Sequence, residues 1–323
     1  MDALNTTNHP RHLVKVDSLT LEEILRILDG ADEFRDPTNG PSLLAGKLVC
    51  LMFFQPSTRT RLGFDVAVKR LGGDTTSLDG PKYEQGMGWS EPLEDLLRVV
   101  SDYCDVVVVR HPSTIALEHA LPYSSAPVIN AGSGREHHPT QALIDLYCIR
   151  SRMGHLTDLR IGMVGDLAGS RTARSFVQVL AHWAPAELRL MAPPGRSLDD
   201  SVTSAFGAGV VVRHPCLVPD DLDVLYVAEL PNAPDSPPYD ISLRAALGVT
   251  PARVTALPEH AIVLCPGPRL DEIDREVDGS HRAAYFAQSR DGLRVRMAVL
   301  AHLVKHCTNK AVQYSGRWGT MND

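Results

Sequence analysis

Five consecutive residues, Ser57-Thr58-Arg59-Thr60-Arg61, crowd three hydroxyls and two guanidinium groups into one short stretch. They follow the apolar residues Leu51-Met52-Phe53-Phe54, and Gly46 stands a few positions earlier. That run reads as a buried strand over 46–54. A helix is predicted over 57–71, closed by Gly72-Gly73, so it starts at the hydroxyl cluster. The first N–H groups of a helix have no partner in the helix, and the dipole is positive there. An anion is stabilised at such a place. The hydroxyls of Ser57, Thr58 and Thr60 add donors, and Arg59 adds a planar fork suited to phosphate. The plainer alternative is an N-cap at Ser57 with solvent-facing arginines. The chain carries a formal charge of −7, so any anion site must be built locally.

The elements that must position this cluster alternate. Residues 106–109 and 128–130 read as buried strands, and 139–150 as a helix with Pro139 near its start. An earlier helix has Ser18 or Thr20 as N-cap, with Leu21, Ile24, Leu25 and Leu28 on one face. After the polar stretch 151–158 the pattern restarts. A strand over 159–164 ends in Gly165-Asp166, and a helix covers 171–182. Further strands are expected at 188–192, 210–213, 224–227 and 262–265, and an amphipathic helix at 293–307.

Alternating strands and helices imply parallel sheets. At 323 residues the chain exceeds the usual limit of a single core, so two domains are expected. The first spans 1–150 and is joined by the helix 293–307; the second spans 151–292. The fold class is α/β, each domain a parallel sheet flanked by helices, with the active site in the interdomain cleft.

The bulk numbers narrow the function classes. Hydrophobic residues make up 44% and charged residues 22%, as in soluble globular proteins. Neither a nucleic-acid nor a membrane partner is indicated. No apolar run approaches the ~20 residues that span a bilayer. Residues 1–11 are polar, include Pro10, and do not read as a signal peptide. Cysteines at 50, 104, 148, 216, 265 and 307 contain no Cys-x-x-Cys pair, so neither a zinc site nor a redox motif is expected. Reduced thiols in the cytoplasm are the simplest reading.

Four further motifs join the first. Arg110-His111-Pro112 follows a strand. His138-Pro139-Thr140-Gln141 opens a helix. Gly165-Asp166-Leu167 precedes Arg171-Thr172, and Pro266-Gly267-Pro268-Arg269 precedes Asp271-Glu272-Ile273. In this order, and over about 12–303, the chain resembles the aspartate and ornithine carbamoyltransferases, most nearly the aspartate carbamoyltransferase catalytic chain.

The resemblance implies transfer of the carbamoyl group of carbamoyl phosphate to an amine, by a homotrimer with shared active sites and without metal or cofactor. It implies that Ser57, Thr58, Arg59 and Thr60 hold the phosphate, and that Arg110 reaches the phosphate or the carbonyl oxygen. His138 and the Thr60 hydroxyl would polarise the carbonyl. Gln141 and the backbone carbonyls of Pro266 and Gly267 would accept from the carbamoyl NH2. Arg59, Thr60, Arg110 and His138 are thus the candidate catalytic residues. His137 is read as structural. Charge developing on two oxygens makes preorganised donors the main catalytic device.

The acceptor side departs from the family pattern. Arg171 keeps one carboxylate-binding arginine. Alignment on Asp223-Val224-Leu225-Tyr226 puts Glu229 where the family has a second arginine and Pro231 where it has a glutamine. Glu repels a carboxylate and attracts an ammonium. The family also uses a Ser and a Lys from the neighbouring subunit. Here Ser77 is retained, and either Trp89 or Lys82 takes the lysine position in a loop with glycines at 80, 86 and 88 that suits a lid. Cys265 is read as a small buried residue. These departures suggest an acceptor other than aspartate, such as the diamino acid 2,3-diaminopropionate, giving a ureido amino acid. The alternatives are an ordinary aspartate carbamoyltransferase of pyrimidine biosynthesis and a non-catalytic interaction subunit of the same fold.

Overall fold

The computed structural model describes residues 11–36, 38–40, 42–79, 91–230 and 241–314. The chain divides into two units, the first built on Leu25–Ser133 with the chain from Arg296 onward, the second on Gly134–Val295 with Lys15–Ile24. The elements run α1 (Leu21–Glu33), β1 (Leu48–Phe53), α2 (Thr58–Arg70), β2 (Asp74–Asp79), α3 (Leu93–Tyr103), β3 (Val106–His111), α4 (Thr114–Ala120) and β4 (Val128–Ser133). Then follow α5 (Pro139–Met153), β5 (Arg160–Val164), α6 (Arg171–Leu180), β6 (Glu187–Met191), α7 (Asp200–Thr203), β7 (Val211–His214) and β8 (Val224–Val227). The chain continues through α8 (Ile241–Leu247), α9 (Pro251–Ala256), β9 (Ile262–Leu264) and α10 (Tyr285–Tyr314).

The first sheet has the order β2-β1-β3-β4, all parallel. Its inner strands are continuous apolar runs because both faces are covered. Val49 to Phe53 and Val106 to Val109 are buried throughout. Cys50, Met52, Val107, Val109 and Val128 pack with Leu97 and Val100 of α3 and Leu117 of α4. Strand β2, Asp74-Thr75-Thr76-Ser77-Leu78-Asp79, is polar and was not legible as a strand. It forms the sheet edge, where an apolar run is not required.

Thr20, not Ser18, caps α1. Glu23 N–H donates to Thr20 Oγ1 at 3.3 Å, and Thr20 N–H donates to Glu23 Oε2 at 2.9 Å, a reciprocal capping pair. The apolar face is rotated from the expected one. Ile24, Ile27, Leu28 and Ala31 are buried, whereas Leu21 and Leu25 are exposed.

The second sheet is parallel in the order β7-β6-β5-β8-β9. Val164, Leu225, Val227 and Val263 pack with Leu247, Val254 and Tyr285. Helix α5 is buried on every side over its first three turns, from Pro139 to Ile149. Gly154, left-handed at φ 81°, ends it by donating to Arg150 O. Gly165, at φ 126°, lies against the chain leaving β8, where a Cβ would stand 2.6 Å from Ala228 O. No described helix is long and apolar enough to cross a membrane.

Candidate active site

In the first unit the sheet register brings together residues expected to bind the anion. Phe53 on β1 pairs with Arg110 on β3, and Phe54 N–H donates to Arg110 O at 2.9 Å. The turn after β1 is thereby held beside the end of β3, and α2 begins at Thr58. Ser57 occupies the N-cap position with extended backbone, φ −160° and ψ 99°, yet its side chain makes no capping bond. The hydroxyl is not consumed by the helix, against the plainer reading of an ordinary cap. Thr58 and Arg59 are exposed and Thr60 is buried. Arg110 Nη1 donates to Ala131 O at 3.2 Å, which orients the guanidinium along the strand ends.

Sequence reasoning missed one basic group in this unit. Arg296 is 5% exposed and lies over the Phe64 ring of α2, 5.6 Å from its centroid. Gly63 makes room for it, since a Cβ there would stand 2.7 Å from Arg296 Nη1. Burial, with repulsion from Arg59, pulls its pKa down to about 10. Arg296 thus lies against the second turn of α2, close enough to Arg59 at the helix start for the two charges to repel. A buried guanidinium this poorly solvated favours a nearby anion. The sequence signal was faint: Arg296 directly precedes the apolar run Met297-Ala298-Val299-Leu300 of the last helix.

In the second unit His138 is the N-cap of α5, buried at 4% exposure. Its backbone N–H donates to Ser175 Oγ at 2.8 Å, and Nδ1 lies 3.5 Å from Thr140 Oγ1. Gln141, one turn into α5, donates from Nε2 to Asp145 Oδ1 at 2.7 Å. Arg171 opens α6 behind the Ser170 cap, and its Nη1 donates to Gly134 O at 2.9 Å. Burial lowers the Arg171 pKa, while the negative charges of Glu229 and Glu136 push it upward. Glu229 is exposed. Its backbone carbonyl accepts from Asp166 N–H at 2.9 Å, which pins it beside the end of β5. Glu272, 1% exposed, is raised by burial, and Glu229 adds to the rise. The residues expected to meet the acceptor thus set the Arg171 guanidinium in the field of the carboxylates Glu229 and Glu136.

Gly267 has φ 67°, a left-handed conformation that glycine alone adopts freely. Cys265 is buried, and its N–H donates to Gln288 Oε1 at 3.0 Å, in keeping with its reading as a small buried residue. Arg269 is held by Asp278 and by Tyr285 Oη. Ser77, expected in the lid loop, instead lies on the edge strand β2, opposite Leu51 and exposed. Lys82, Trp89 and Pro231 lie outside the described residues. Among the described residues no group of three or more His, Cys, Asp or Glu could hold a metal.

These elements match a known family over nearly their whole length. Residues 11–151 match the aspartate/ornithine carbamoyltransferase carbamoyl-P binding domain, and residues 157–303 match the Asp/Orn binding domain of the same family. The chain belongs to the aspartate/ornithine carbamoyltransferases and is an enzyme of the carbamoyltransferase class. It is 40% identical over 300 residues to the aspartate carbamoyltransferase catalytic subunit of Methanospirillum hungatei, covering 91% of this chain and 99% of that one. It is 38% identical over 299 residues to that of Archaeoglobus fulgidus, covering 91% and 99%. Among solved structures, the catalytic subunit of M. jannaschii aspartate transcarbamoylase superposes with a TM-score of 0.82 at 35% identity, covering 92% of this chain and 98% of that one. The Trypanosoma cruzi enzyme in complex with carbamoyl phosphate and aspartate superposes with a TM-score of 0.81 at 30% identity, covering 91% and 95%.

Proposed function

We propose that this chain transfers the carbamoyl group of carbamoyl phosphate to the amine of aspartate. The observation that carries the reading is the donor cluster at the start of α2. There the Ser57 hydroxyl is left unused by the helix and Thr58 and Arg59 are exposed, while Arg296, against the second turn of α2, adds to the positive field. A phosphate dianion matches that field. A subunit of purely structural use has no need of this set together with Arg110 and His138.

The chemistry follows from the residue types. The neutral amine attacks the carbonyl carbon, a C–N bond forms, and the carbonyl oxygen takes up negative charge. Donors from Thr60, Arg110 and His138 stabilise that oxygen. The C–O bond to phosphate then breaks, and the phosphate leaves with the electron pair. The amine proton passes to the departing phosphate or to solvent. Gln141 Oε1 and the carbonyls of Pro266 and Gly267 accept from the carbamoyl NH2. Arg171 holds the acceptor's carboxylate. Location in the cytoplasm and assembly as a homotrimer, with Ser77 and the following loop serving a neighbouring subunit, complete this reading.

Aspartate is supported as acceptor by the relatives, which are aspartate carbamoyltransferases, and this favours the family's ordinary acceptor over the diamino acid first expected. A second reading keeps the diamino acid, and one observation favours it. The negative charge of Glu229 acts on Arg171, so a carboxylate arriving beside Arg171 meets a like charge and an ammonium meets an opposite one. Phosphate release from carbamoyl phosphate, measured with aspartate and with 2,3-diaminopropionate, separates them. Aspartate turnover at an ordinary kcat/KM supports the first reading. Turnover confined to the diamino acid supports the second, and release with neither defeats both.

A further inference from the structure

The second unit contains a buried carboxylate that the chemistry above does not use. Asp145 is fully buried in the middle of α5, one turn beyond Gln141. Three uncharged donors converge on it. Gln141 Nε2 reaches Oδ1 at 2.7 Å and Gln288 Nε2 reaches the same oxygen at 2.6 Å. Tyr226 Oη reaches Oδ2 at 3.3 Å, and its ring stacks on Phe176 at 5.1 Å with an interplanar angle of 3°. Burying a carboxylate in an apolar helix is unfavourable unless it is needed.

Its use lies in the two amides. A side-chain amide can turn over, exchanging its acceptor oxygen for its donor nitrogen. Oδ1 takes both amide donors and Oδ2 faces Tyr226; whether ionised or protonated at Oδ2, the carboxyl accepts at Oδ1, so the Gln141 NH2 group faces Asp145 and its oxygen faces away. Gln288 is oriented a second time, because its Oε1 accepts from Cys265 N–H at 3.0 Å. The chain of bonds therefore runs from the backbone just before Pro266, through Gln288 and Asp145, to Gln141. Both groups assigned to the carbamoyl NH2, Gln141 Oε1 and the Pro266–Gly267 carbonyls, hang from one buried oxygen.

We propose that Asp145 is the positioning residue for carbamoyl recognition: its Oδ1 fixes Gln141 as an acceptor and, through Gln288, ties that acceptor to the loop bearing Pro266 and Gly267. This rests on the assignment of Gln141 and that loop to the carbamoyl NH2. The phosphate end is left to the first unit, so the two ends of the ligand depend on separate residues.

The test compares two anions by titration calorimetry on the full chain. Phosphonoacetamide carries the terminal amide, with a methylene replacing the bridging oxygen; inorganic phosphate lacks the amide. The unmodified chain should prefer phosphonoacetamide. Asp145→Leu keeps the volume but removes the acceptor oxygen. It should lose about tenfold in phosphonoacetamide affinity while phosphate affinity stays within about twofold. Asp145→Asn keeps an oxygen for both amides and should stay within about threefold for both anions. If Asp145→Leu does not fold, Gln288→Met cuts the same chain at its next link and should lower the preference by a smaller factor. Equal losses for both anions, an unchanged ratio in a folded variant, or no preference in the unmodified chain would each overturn the proposal. A clear preference without phosphate release from carbamoyl phosphate in the presence of amines would instead defeat the reaction while supporting the role of Asp145.

Discussion

The same buried carboxylate makes a prediction about stability. Burial raises the Asp145 pKa from 3.8 to about 7, with the three donors pulling it partly back. In the folded chain the carboxyl therefore holds its proton over a range in which the unfolded chain has lost it. The sign follows from linkage: stability falls as pH rises from about 4 through about 7, and the full penalty is present above that. A rise of about 3 pKa units corresponds to about 4 kcal/mol at most. Asp145→Asn removes the titration but keeps shape and hydrogen bonds, with the Tyr226 hydroxyl turning to accept from Nδ2. The variant should therefore be more stable than the unmodified chain at pH 8, with the advantage shrinking toward pH 4.5. At roughly 2–4 °C per kcal/mol for a unit of this size, the upper bound is about 8–16 °C in Tm. Urea unfolding of both proteins at pH 4.5 and pH 8, followed by tyrosine fluorescence and circular dichroism, supplies the measurement. A stability difference that does not change with pH would refute a buried, titrating Asp145.

Three other outcomes are expected. Arg59→Ala should weaken carbamoyl phosphate and inorganic phosphate alike, by about 1.5–3 kcal/mol, and calorimetry showing unchanged affinity would sink the assignment of the α2 start. His138→Ala should lower turnover by ~10²-fold with a smaller change in carbamoyl phosphate affinity, as read from steady-state kinetics beside direct binding. Gly165→Ala places a Cβ 2.6 Å from Ala228 O at φ 126°, so thermal melting should show a loss of about 1–3 kcal/mol.

The division between sequence and tertiary structure runs along the range of the interactions. Strands β1, β3 and β8 were legible because burial on both faces demands an unbroken apolar run, and such a run is a local property; β4, β5 and β6 were legible from shorter, mostly apolar runs between helices. The start of α2 was legible for a similar reason: hydroxyls and guanidinium groups beside an apolar strand carry their chemistry on adjacent residues. The family followed from the order of five such motifs. Strand β2 was not legible, because an edge strand is held by its neighbour β1 rather than by its own pattern, and Ser77 was accordingly expected in a loop. Nor was the orienting network. Gln141 and Asp145 are one helical turn apart, and a polar pair inside Ala142-Leu143-Ile144 and Leu146-Tyr147 was a usable sign. Tyr226 and Gln288, however, lie 81 and 143 residues further along the chain. Arg296 likewise meets Phe64 and Gly63 only after α10 has folded back. Which amide faces which carboxylate, and which guanidinium loses its water, are fixed by packing between distant segments, and no local spacing encodes them.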